Sequence, residues 1–114
     1  MKRLLMVFTI GLLSFNALAK DRWEYFGKGG PNDTFFFDTK TKTPDSVWVK
    51  RQRDDGVQLF TALWKYDCKS RSYGIIHAVS YYPSYSTYSA QKIELIPAAP
   101  DSVSESLLES ICKR

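Results

Sequence analysis

The side chains that could carry chemistry in this 114-residue chain are few: two cysteines, one histidine and scattered carboxylates. A zinc site needs three or four Cys, His or carboxylate ligands in a tight array. With His77 alone and the cysteines otherwise engaged, His77 reads as a satisfied strand residue, and no metal or cofactor is expected. There is no G-x-S-x-G elbow to hold a serine nucleophile. Asp54 and Asp55 read as turn residues, and Glu94 lies on a short strand without a visible partner. Gly29-Gly30 is followed by no helix pattern, so it is not a phosphate loop. A pair of carboxylates meeting only in space stays open. The expectation is a protein that is not an enzyme.

Cys68 and Cys112 point elsewhere. The N-terminus has the layout of a secretory signal: basic Lys2 and Arg3, an apolar run from Leu4 to Leu13, then Ala17-Leu18-Ala19. Ala17 and Ala19 supply the small residues that signal peptidase requires, which divides the chain into a signal at 1–19 and one domain at 20–114. The run is too short to span a bilayer, so no stable membrane insertion is expected after cleavage. In an oxidising compartment two cysteines without a C-x-x-C spacing read as one disulfide. Removing Lys2 and Arg3 lowers the formal charge from +4 to +2. That weak balance gives no argument for nucleic acid. The periplasm is the expected location, with the cell surface or secretion as alternatives.

The elements that must position these residues are mainly strands. Tyr, Phe, Trp, Val, Ile and Thr are plentiful, and they suit a pleated, half-buried surface. Strands are predicted at 22–28, 34–38, 46–53, 57–68, 72–82 and 91–96. Gly29 to Asp33 and Thr39 to Asp45 form connections. Asp54-Asp55-Gly56 signals a tight hairpin. Pro83 to Ser89 reads as a Tyr/Ser-rich loop. After Pro97 the period changes: Ser102 and Glu105 have capping-box spacing, and Val103, Leu107, Leu108 and Ile111 follow at helical intervals. Lys113 and Arg114 suit the C-terminal end of the helix dipole. The expected fold is α+β: a single antiparallel β-sheet of about six strands, with a C-terminal α-helix packed on one face and tied by the disulfide.

Alternation puts Phe60, Ala62, Trp64, Tyr66 and Cys68 on one face of the long strand, the face that should carry the helix. Leu59, Thr61 and Leu63 lie on the other. In the next strand Ile75 and Val79 share a side, with Ile76 and Ala78 opposite. The second apolar face needs an answer: curling of the sheet, a homodimer, or a docked partner.

Two groups could bind a partner. Lys50, Arg51 and Arg53 form a basic cluster beside the hairpin, though cations at a strand edge also simply block aggregation. Tyr81, Tyr82, Tyr85 and Tyr88 are interleaved with serines, a composition that binding loops favour; the plainer reading is that Tyr81 and Tyr82 are strand residues and the others fill the gap beside the helix.

The order of motifs resembles the surface-adhesin protein E-like family of exported bacterial domains. The residues that carry the likeness are Trp23, Phe36-Phe37-Asp38, Val47-Trp48-Val49-Lys50, Tyr66-Asp67-Cys68 with Arg71-Ser72-Tyr73, and Pro100-Asp101-Ser102 with Glu105, Leu107 and Ile111-Cys112. The resemblance implies a sheet backed by a disulfide-tied helix. It also implies a binding role toward a protein partner, such as a host matrix or serum protein. The lipidation cysteine of the name-giving adhesin has no counterpart here, nor does a Trp near Ser89-Ala90-Gln91. The rival expectations are a periplasmic structural or stress protein and a small exported enzyme inhibitor.

Overall fold

A computed structural model describes residues 22–112. Ala17 and Ala19 of the expected signal, and Lys113 and Arg114, lie outside the described residues. Seven strands are present: β1 (Trp23–Gly30), β2 (Asp33–Asp38), β3 (Ser46–Arg53), β4 (Gln58–Asp67), β5 (Ser72–Ser80), β6 (Ser86–Ser89) and β7 (Ile96–Pro97). One helix, α1 (Val103–Ile111), closes the described chain. The first six strands pair in sequence order and β7 pairs with β5. Every pairing is antiparallel. With one nine-residue helix against seven strands the fold is mostly β, which tilts the α+β expectation toward the sheet.

The core is a cross-strand layer. Phe37, Val49 and Ala62 are direct neighbours on β2, β3 and β4, and Val47 pairs with Trp64. All five are buried. Phe26, Phe35 and Tyr66 extend the layer, and Leu107 and Leu108 of α1 are fully buried within it. Each buried leucine contributes roughly 1.5–3 kcal/mol. The strand that α1 meets most extensively is β1. The long strand keeps the predicted alternation, since Ala62, Trp64 and Tyr66 are its buried residues.

The helix starts as predicted, with one change. Ser102 Oγ accepts the Glu105 N–H at 3.1 Å. The Glu105 carboxylate accepts from Asp101 N–H at 2.8 Å rather than from the cap residue itself. At the other end Cys112 caps the helix and bonds to Cys68, just past β4, with a Cα separation of 5.5 Å. Arg71 in the same β4–β5 turn reaches Glu109 at 2.8 Å, so the turn holds α1 by a covalent and an ionic link.

Three features correct the sequence reading. The strand expected at 91–96 is absent. Ser86–Ser89 pairs with β5 instead, and Ile96–Pro97 pairs further along it. The β-forming Thr87 and Tyr88 take the open edge of β5, and Ala90 N–H continues the ladder to Ile76 O at 2.9 Å. Beyond Ala90 the chain arches over β5 at Gly74. A Cβ there would lie 2.9 Å from the Glu94 carbonyl oxygen.

The second correction concerns β5. A register shift pairs Leu63 with His77 but Trp64 with Ile75. Ile76 is the extra residue, so Ile75 and Ala78 share the core side, and Ile75 with Val79 do not. Third, β5 ends at Ser80, which leaves Tyr81 and Tyr82 in the turn to β6. Similar shifts interrupt the β1–β2 and β3–β4 pairs. Bulges increase local twist, and the sheet curls.

Candidate binding surfaces

The three cations beside the hairpin are not one patch. Alternation sends Lys50 to the face opposite Arg51 and Arg53. Arg51 lies between Phe35 and Phe60 at the end of the core layer. Its Nε is 3.0 Å from Asp33, and its guanidinium covers the Phe35 ring at 5.4 Å. Arg53 pairs with Asp55, Nε to Oδ1 3.2 Å, and lies 5.0 Å from the Tyr82 ring. The hydrogen bond to Asp55, then the one to Tyr82, raises the Arg53 pKa further. Both arginines are therefore engaged locally, and of the three cations only Lys50 has no carboxylate within ion-pair distance among the described residues.

The predicted turn residues do structural work. Gly56 has φ +95°, which a tight hairpin requires. Asp55 accepts Val57 N–H at 3.2 Å, and Arg53 with that bond holds its carboxyl below the usual range. Asp54 N–H donates to Asn32 O at 2.8 Å, which joins the β1–β2 and β3–β4 turns. His77 is exposed, its Nδ1 2.7 Å from Ser89 Oγ across the β5–β6 pair.

The tyrosines separate into three settings. The Tyr81 hydroxyl is 3.2 Å from Thr61 Oγ1, and its ring meets Tyr85 at 6.3 Å. Tyr82 lies under Arg53. Tyr88 stands opposite Ala78 on β6 and lines a groove with Ile75, Ile93 and Ile96. All four tyrosines are exposed, Tyr85 the most at 72%. Glu94 lines the same groove and, among the described residues, is the one carboxylate in its lining.

A further cluster was not visible in the sequence. Arg22, Trp23, Asp38, Thr41, Trp48 and Thr61 line a recess of about 210 Å³ on the outer face, away from the core layer. Arg22 grips Asp38 with both Nε and Nη2, at 2.9 and 3.0 Å. Thr41 Oγ1 and Lys40 N–H add bonds of 2.6 and 3.1 Å. Burial alone pushes the Asp38 carboxyl up, but the Arg22, Thr41 and Lys40 hydrogen bonds outweigh it and hold its pKa at about 2. Beside this pair Lys50 Nζ sits 4.5 Å from the Trp23 ring centroid and 5.4 Å from that of Phe36. The contributors come from four separated stretches of chain, so no local motif announces them.

Among the described residues no group of three or more Cys, His, Asp or Glu is placed to hold a metal ion. No helix among them is long and apolar enough to cross a membrane. No protein family, curated protein or solved structure matches this chain.

Proposed function

We propose that this chain is an exported, non-catalytic binding domain in which α1 covers one face of the sheet and the exposed surfaces serve a protein partner. The observation that carries the reading is the tyrosine-rich end of β5 and β6, where Tyr81, Tyr82, Tyr85 and Tyr88 are all exposed. A tyrosine held outward offers large contact area at little entropic cost. The Cys68–Cys112 disulfide fits an oxidising compartment and so supports export. The resemblance to surface-adhesin protein E-like domains makes host matrix and serum proteins the first partners to screen.

The test is surface access. An antibody against the domain is applied to intact and then to permeabilised cells. Labelling of intact cells supports an adhesin-like role and the host-protein screen. Labelling only after permeabilisation removes that role and redirects the search to periplasmic partners. Absence of the protein from both envelope and medium overturns export.

A further inference from the structure

The outer face of the sheet carries three cations with carboxylate partners. Lys28 is 3.5 Å from Asp54, Lys65 is 3.3 Å from Asp45, and Arg22 holds Asp38. Lys50, near the middle of that face, differs. Its ammonium rests on the Trp23 and Phe36 rings and has no carboxylate within ion-pair distance among the described residues. Its pKa is lowered, first by burial and then by repulsion from Arg22, with Asp38 opposing. The rings attract the cation but return only part of the hydration it has lost. The partner that best restores the balance is a carboxylate arriving from solvent. Tyr25, 56% exposed and paired with Phe36, offers apolar contact beside the ammonium, as does the recess at Trp48.

We infer that the outer face around Lys50 docks an acidic side chain of a protein partner, flanked in that partner by an aromatic residue. The inference rests on the binding-domain reading and names the chemistry of one of its surfaces. Lys50 supplies the charge, and Tyr25, Phe36 and Trp48 supply the apolar contact. Trp23 holds the ammonium in place.

The probe is a tripeptide amide, acetyl-Tyr-Glu-Tyr, compared with acetyl-Tyr-Gln-Tyr, titrated into the purified protein to about 10 mM, a range that detects weak binding. NMR shifts of Trp23, Tyr25 and Phe36 report occupancy. The glutamate peptide is expected to bind about tenfold more tightly than the glutamine peptide, as for a hydrogen bond to a charged group. Lys50→Met, which keeps the apolar stem over Trp23, should remove that difference, and Lys50→Arg should retain it. Equal affinity of the two peptides, no binding of either, or unchanged discrimination in Lys50→Met overturns the inference. If Lys50→Met does not fold, the peptide comparison on the unaltered protein decides alone. A partner captured through the tyrosine end while the glutamate peptide fails removes this surface and leaves the binding-domain reading standing.

Discussion

Arg22 and Asp38 form a two-point ion pair that fastens the start of β1 to the end of β2, with Nε and Nη2 at 2.9 and 3.0 Å from the two carboxylate oxygens. The carboxylate is 1% exposed, so losing its charge or its partner leaves a buried polar group poorly served. The folded-state pKa of about 2 lies below the ordinary 3.8. The sign follows: the contribution is fully present above the unfolded value and is lost as pH falls through the folded one. A shift of this size corresponds to about 2 kcal/mol. Urea unfolding at pH 7 should show Asp38→Asn destabilised by about that amount, with the gap shrinking as both proteins are taken from pH 4 to pH 2. A pH-independent gap would assign the loss to packing instead.

The disulfide closes a loop with a sequence separation of 44. In the chain-entropy account such a crosslink stabilises by up to about 4 kcal/mol. The Cys68→Ser/Cys112→Ser double variant should therefore melt well below the parent. Because Leu107 and Leu108 are fully buried, near-ultraviolet circular dichroism at low temperature should still show a packed aromatic core. A molten spectrum at every temperature would mean that the crosslink, not the leucines, holds α1.

Gly74 sits beneath the arch at 93–95. A Cβ at this position meets the Glu94 carbonyl oxygen at 2.9 Å and the Ile93 and Leu95 side chains at 3.4 Å. Since the nearest atom is backbone, the arch itself must move. Gly74→Ala is expected to cost about 1–3 kcal/mol, the usual range for overpacking. Hydrogen exchange should quicken at Ala98, whose N–H bonds Arg71 O at 3.0 Å, just beyond the short β7 ladder. Unaltered stability would show that the arch is loosely seated.

Tyr85 and Tyr88 project from the fold, so truncating them should leave stability within about 0.5 kcal/mol. Tyr85→Ser/Tyr88→Ser should therefore separate binding from folding. The expected result is an unchanged melting curve with loss of partner capture. A fall of several degrees would place these rings in packing rather than recognition.

Much of the fold was legible where local chemistry and tertiary structure agree. β3 occupies Ser46–Arg53 as its alternation indicates, Gly56 takes the positive φ of the Asp-Gly turn, and Ser102 caps α1. The edge of the sheet was less legible. Gln91 to Ile96 alternates like a strand, yet the edge of β5 is taken by the less apolar Ser86–Ser89, and Gly74 lets the backbone cross above it. The bulge at Ile76 carries no sequence mark, and it moves Ile75 and Ala78 to a common side. The surfaces fared likewise. The basic run at 50–53 was visible as composition, but only the strand's two-residue period and the partners Asp33 and Asp55 show that Lys50 stands apart. The Trp23, Asp38 and Trp48 recess depends on three strands meeting, which is a property of register rather than of any one segment.

The placement of α1 against β1 has a kinetic side. The first strand and the only helix of the described chain are neighbours, though almost the whole described sequence separates them. Contacts of such long separation carry a loop-closure cost before they return any stability, and they slow folding. Phe26, Val47 and Val49 belong to one buried cluster with Leu107 and Leu108, and that cluster is incomplete until α1 arrives. A chain released residue by residue therefore cannot complete this core until α1 has been made, and the Cys68–Cys112 bond waits for the residue just after that helix.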